Sequence, residues 1–162
     1  MNSLLRAIFL VYFITHIPIT LSLDLQIIFG QYYPESLQGL ATWYVATYND
    51  QLLLTKPIWL QSFIWAEFLF QTPFFFVATY GLLFKRNWMR IPSIIYGAHV
   101  ATTVWAIIAE FVASTTISEK EKLVLFSFYA PYFVIPALLM WYMAIHPVPF
   151  PVAPADAAKK VC

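Results

Sequence analysis

Residues 123–145 read LVLFSFYAPYFVIPALLMWYMAI, and this stretch decides the fold. It contains no Asp, Glu, Lys, Arg or His, and it is long enough to cross the hydrocarbon of a bilayer, for which about 20 mainly apolar residues suffice. A helix in a water-soluble bundle keeps one polar face toward solvent. This one has none. The chain as a whole agrees: of 162 residues, 61% are hydrophobic, 19% aromatic and only 10% charged, with a mean hydropathy of +0.71. A soluble domain carries about 25% charged residues. The polar surface is too small to cover a compact fold in water, which excludes a disordered chain, a nucleic-acid-binding surface and an ordinary cytosolic enzyme. Nine Lys or Arg against eight Asp or Glu leave a net charge of +1, so no bulk attraction to nucleic acid follows. Cys162 is the only cysteine. No internal disulfide can form, no Cys/His cluster has metal-ligand spacing, and neither a metal nor a cofactor is expected.

Three more apolar stretches, at about 4–29, 58–84 and 91–113, predict an all-α membrane protein built as a four-transmembrane-helix bundle. The first competes with a signal peptide. Only Arg6 could serve as its basic region, its apolar run is long and no small-x-small cleavage site follows, so it reads as a retained helix. Lys and Arg accumulate on the cytoplasmic side of short loops. Lys85, Arg86 and Arg90 between the second and third stretches, with no acid among them, place that loop in the cytoplasm. The balanced segment Ser118, Glu119, Lys120, Glu121 and Lys122 belongs on the far side, as does the long connection 30–57. Both termini are then cytoplasmic. The connection carries Trp43, Tyr44, Tyr48 and Leu52 to Leu54, which predicts either short helices forming a lumenal capping loop or a segment lying in the membrane interface, where aromatics are favoured. Residues 1–146 read as the membrane domain and 147–162 as a proline-rich cytoplasmic tail. Lys159 and Lys160, fourth and third from the end, match a di-lysine retrieval address of endoplasmic-reticulum membrane proteins.

Polar residues inside such stretches are costly, at about 2.5 to 3.5 kcal/mol for a charge at the bilayer centre, and therefore face the protein interior and mark function. Glu67 lies about 14 Å inside the far-side end of its helix, and Thr103 and Tyr132 lie at a similar depth in theirs. Asp24 is nearer the far-side end of the first helix, within reach of a loop carrying Asp50. Glu67 and Gln71 stack on one helix face ahead of Pro73. Pro18, Pro73, Pro131 and Pro136 predict kinked helices around a cavity. His16 and His99 read as core hydrogen-bonders, and Thr102 and Thr103 as bonding back to their own helix. Glu67 stands apart, deep and with no Lys or Arg at its depth in any span, and Asp24 supplies a second carboxylate. Two buried acids among Tyr and Trp suit the capture of a cationic amine or the stabilisation of a developing carbocation.

An ordered series of motifs runs over residues 10–145: His16-Ile17-Pro18-Ile19-Thr20 with Asp24-Leu25-Gln26, Trp43-Tyr44 with Asp50, Glu67 with Phe70-Gln71 and Pro73-Phe74-Phe75, Ile94-Ile95-Tyr96 with His99 and Thr102-Thr103, and Tyr129-Ala130-Pro131-Tyr132 with Ile135-Pro136. It closely resembles the sigma-2 receptor branch of the EXPERA family, which also holds the emopamil-binding sterol isomerase. The resemblance implies a four-helix endoplasmic-reticulum protein, a homodimer, whose pocket opens toward the bilayer and takes sterols or lipophilic amines. By position, Asp24 corresponds to the acid that pairs with a ligand ammonium, Asp50 to the loop acid that braces it and Glu67 to the second buried acid. Gln71, Tyr96, Thr103 and Tyr132 match pocket-lining positions. A part in cholesterol homeostasis, with the Niemann-Pick type C cholesterol transporter as partner, also comes from the resemblance. The isomerase branch is similar in its acid pair but has a fifth span, for which no stretch is found here. On that alternative Glu67 and Asp24 would be acid and base of a sterol double-bond shift. The proline-rich tail departs from the family's lysine-rich end.

Overall fold

The computed structural model describes residues 1–151. Among them every regular element is helical. α1 (Ser3–Ile19) begins at Asn2, whose side chain accepts from the Leu5 N–H. It runs through a π-helical turn, Thr20–Asp24, into the short α2 (Gln26–Phe29). α3 (Glu35–Tyr48) and α4 (Gln51–Thr55) fill the connection, which therefore does fold as short helices. α5 (Ile58–Ala66), a second π-helical turn at Glu67–Gln71, and α6 (Thr72–Leu83) form one continuous helical run. α7 (Arg90–Ala113) and α8 (Glu119–Ile145) complete the chain.

Among the described residues, three stretches are long and apolar enough to cross a membrane: Ser3–Tyr32, Asn87–Ala113 and Glu119–Ile145. The run 58–83 has comparable length, but Glu67, Gln71 and Thr72 interrupt its apolar character. Pro18, Pro131 and Pro136 sit inside helices. Pro73 opens α6 directly behind a π-helical turn, where its missing N–H would otherwise bond four residues back.

One of two buried clusters joins α1, α6, α7 and α8. Phe9 and Phe13 of α1, Phe75 and Leu82 of α6, Val100 of α7, and Leu139 and Met143 of α8 are buried together in it. α7 and α8 lie close together at Gly97, where a Cβ would lie 2.5 Å from the Pro136 carbonyl oxygen and 2.6 Å from Met140 Cβ. Large apolar side chains such as Leu4, Val11, Trp105, Leu123 and Trp141 point outward. A lipid solvent explains that surface; water does not.

The ends of the bundle differ in charge. At one end Arg6 donates to the Leu82 and Leu83 carbonyls at 3.3 and 3.4 Å. Arg90 donates to those of Met143 and Ala144 at 2.9 and 3.1 Å. Both guanidinium groups thus satisfy the carbonyls left open at helix C-termini. The chain after α8 folds back over this end. Asn87 holds Phe150 by two bonds, donating to its carbonyl at 3.1 Å and accepting from its N–H at 2.8 Å, and the Phe150 ring is buried in the core. Met1 meets the Pro149 carbonyl here. The expected extended segment therefore starts as a packed strap as far as Phe150, because that aromatic ring gains more in the core than in solvent. Lys159 and Lys160 lie outside the described residues. At the opposite end, Ser118 and Glu121 form a capping box on α8. Asn49, in the left-handed conformation that ends α3, donates to Glu121 at 3.1 Å.

Candidate functional site

The two π-helical turns face each other across the bundle and carry the two acids. A π turn holds one extra residue, which re-aims the side chains beyond it, and such turns are frequent at functional sites. Asp24 closes the first turn and Glu67 opens the second. Between them lies Thr20, fully buried, its Oγ1 2.6 Å from Glu67 Oε1 and 3.1 Å from Asp24 Oδ2. Thr72 Oγ1 donates at 3.0 Å to the Glu67 carbonyl, which the wide turn leaves accessible.

His16, one turn before Thr20, puts Nε2 3.8 Å from Glu67 Oε1. That is too long for a hydrogen bond. Its Nδ1 is buried without a partner, so the expectation of a satisfied core histidine fails here: the surrounding groups are the rings of Tyr12, Phe75 and Tyr132, at 5.1, 4.6 and 4.8 Å, which fix the imidazole but offer it no acceptor. The Nε2 atom of His99 is likewise buried without a partner. Thr102 and Thr103 do bond back, to the Ala98 and Val100 carbonyls.

A cavity of about 1400 Å³ opens beside the acids and extends beneath α3 and α4. Asp24, Glu67, Gln71, Thr103 and Tyr132 line it together with His16. Two expected members stand apart. Tyr96 packs behind the wall, with its hydroxyl 3.2 Å from that of Tyr12 and its ring stacked on Phe74 at 4.7 Å.

Asp50 is fully buried, and its bonds go elsewhere than to Asp24. Its Oδ1 accepts from the Leu52 and Leu53 N–H groups at 3.0 Å, capping α4, while Oδ2 accepts from Tyr129 Oη at 2.9 Å. It therefore ties the connection to α8 and does not brace Asp24 directly. Burial pushes its carboxyl above the usual carboxylate range, against the opposing pull of the Leu53, Tyr129 and Leu52 hydrogen bonds.

Sequence reasoning missed Thr20 and the nearness of His16. The only available signal was spacing, since His16, Thr20 and Asp24 recur every four residues and share one helix face. The resulting cluster has two carboxylates, one hydroxyl proton and an imidazole with no hydrogen bond. It can hold a cation.

The EXPERA (EXPanded EBP superfamily) profile matches residues 36–143. The chain belongs to the EXPERA family. It is 45% identical over 155 residues to the Sigma intracellular receptor 2 of Xenopus tropicalis, covering 89% of this chain and 90% of that protein. Against the Homo sapiens protein of the same name the identity is 40% over 149 residues, covering 84% and 85%. The Schizosaccharomyces pombe protein called Efficient mitochondria targeting-associated protein 19 is 34% identical over 132 residues, covering 77% of this chain and 67% of its own length. The relatives named receptors match over 84% to 89% of this chain. A receptor or binding role follows from that likeness.

Proposed function

We propose that this chain is an intramembrane receptor for sterols and lipophilic cationic amines, acting in cholesterol homeostasis or trafficking. The observation that carries the reading is the Thr20-bridged pair of Asp24 and Glu67 on the wall of a large, mostly apolar cavity. One hydroxyl proton cannot serve both carboxyl groups at once, so a positive charge entering the cavity would complete the pair. An ammonium group on a lipophilic body supplies it, with the body against the Ile, Val and aromatic walls and the head on Asp24. Gln71, Thr103 and Tyr132 would shape the pocket around it, and Tyr96 and Asp50 would hold the wall in place.

On this reading the run 58–83 crosses the bilayer as a fourth span. Its acid and Gln71 face the cavity side, which accounts for polar groups that lipid would reject. The arginine-capped end with Lys85, Arg86 and Arg90 is cytoplasmic, as are both termini, and the helices of the connection are lumenal. The membrane is that of the endoplasmic reticulum, the protein acts as a homodimer and the Niemann-Pick type C cholesterol transporter is its partner. These statements rest on the charge pattern and the resemblance.

A second reading, as a sterol double-bond isomerase, is favoured by one observation: the acid pair sits beside an imidazole, giving both a proton donor and an acceptor within one cavity. Incubating the purified chain with a panel of sterols, then analysing bound and converted species, separates the two. Retention without double-bond migration is the expected result; migration abolished by Glu67→Gln would establish the isomerase instead.

A further inference from the structure

We propose that His16, Asp24 and Glu67 form a binding site for a divalent transition-metal ion of the zinc class. One donor atom from each of the three lies within 4.8 Å of the other two. Zinc takes imidazole nitrogen and carboxylate oxygen at about 2.0 to 2.2 Å, which in a tetrahedron sets donors about 3.4 Å apart. Side-chain movements of under about an ångström close the gap, and three protein donors with an open fourth position match the usual open zinc arrangement.

The imidazole points to a metal independently of the acids. His16 keeps only 8% of its side-chain surface, has no hydrogen bond at either nitrogen among the described residues, and directs Nε2 at Glu67. Three aromatic rings hold it in that attitude. A nitrogen 3.8 Å from a carboxylate oxygen is too far for a hydrogen bond but close to the donor separation around an ion lying between them. Charge leads to the same conclusion. Two acids stand together here, and His16 is the only basic side chain within ion-pair distance of either among the described residues, so a cation complements the cluster. An imidazole donor favours zinc, copper or nickel over magnesium and calcium, which prefer all-oxygen sites. The Thr20 hydroxyl, bonded to Glu67, keeps that carboxylate aimed into the site.

The ion uses the same two acids as the amine reading and would compete with an amine for them, so the metal is measured with no amine present. The experiment uses the purified full chain in lipid nanodiscs and Co²⁺ as the spectroscopic probe, with Zn²⁺ as competitor. The expected result is the intense visible absorption of low-coordinate Co²⁺ at one ion per chain, removed by Zn²⁺ and unaffected by Mg²⁺. Glu67→Gln, Asp24→Asn and His16→Ala should each weaken Co²⁺ binding at least tenfold. Glu110→Gln, an exposed acid on α7, should leave it unchanged. Thermal unfolding without metal identifies any variant that fails to fold, and the isosteric Glu67→Gln and Asp24→Asn decide the matter if His16→Ala does not. Absence of the Co²⁺ spectrum in the parent, a spectrum unchanged in the folded variants, or equal displacement by Mg²⁺ overturns the proposal.

Discussion

Thr20 Oγ1 stands 2.6 Å from Glu67 Oε1, the closest polar contact between the first helical run and the run 58–83 within the cavity wall. The same oxygen lies 3.1 Å from Asp24 Oδ2. The threonine therefore sets the separation of the two acids, and it does so from a turn whose π-helical register brings it inward.

Replacing Thr20 tests that role. Thr20→Val keeps the shape and removes the hydroxyl, leaving Glu67 without its donor. A hydrogen bond to a charged group is worth about 1.5 to 3 kcal/mol, so affinity for a lipophilic amine should fall about ten- to a hundredfold, while Thr20→Ser should retain most of it. Equal affinities for parent and Thr20→Val in an equilibrium binding assay would remove the threonine from the site.

Asp50 is a structural acid, and its pH dependence has a definite sign. Its carboxyl is raised above 3.8 in the folded protein, so the folded state binds the proton more tightly than the unfolded state. The resulting stability is fully present below about 3.8 and is lost as pH rises through the folded value. Unfolding of the parent, followed against pH and compared with Asp50→Asn, should show the parent losing ground as pH climbs through that range. Asp50→Ala should cost about 1 to 2 kcal/mol through the lost cap, plus the desolvation of an unpartnered Tyr129 hydroxyl. A flat difference between parent and Asp50→Asn would show that Asp50 titrates alike in both states.

Gly97 lets α7 lie against α8. Gly97→Ala places a methyl group 2.5 Å from a backbone oxygen that cannot swing away. Overpacking of this kind costs about 1 to 3 kcal/mol, which thermal unfolding in micelles would detect. An unchanged melting temperature would mean that the two helices can separate freely at this point.

The orientation is tested by labelling. Single cysteines at Arg86 and Lys120, both exposed, should react differently in sealed microsomes: the first with an impermeant reagent from outside, the second only after permeabilisation. The opposite pattern would invert the topology.

Much of the fold is legible in the sequence, because apolar length is an unambiguous signal in residues 123–145. Asp24 and Glu67 are legible for a related reason: a charge among apolar residues needs an explanation. The rest depends on register. Two π-helical turns shift every side chain beyond them, and nothing in the residues around Thr20 or Phe68 announces the extra residue, so the meeting of Thr20 with Glu67 and the approach of His16 emerge only in three dimensions. Reach along the chain and the family resemblance both point Asp50 toward Asp24. Its bonds to Leu52, Leu53 and Tyr129 depend instead on where α4 lands on α8. Phe150 was hidden in a proline-rich segment whose composition points outward, while its ring and its bonds to Asn87 hold it inside.

The central claim is that the acid pair captures a cation carried by a lipophilic body. The most direct test is equilibrium binding of one lipophilic amine and its uncharged carbon isostere to the parent and to Asp24→Asn, with folding of each verified by thermal unfolding. The account predicts that the parent prefers the amine by about ten- to a hundredfold, as expected for a charge-assisted hydrogen bond, and that Asp24→Asn binds both compounds alike. A parent that does not distinguish the two, or a folded Asp24→Asn that keeps the preference, would contradict it.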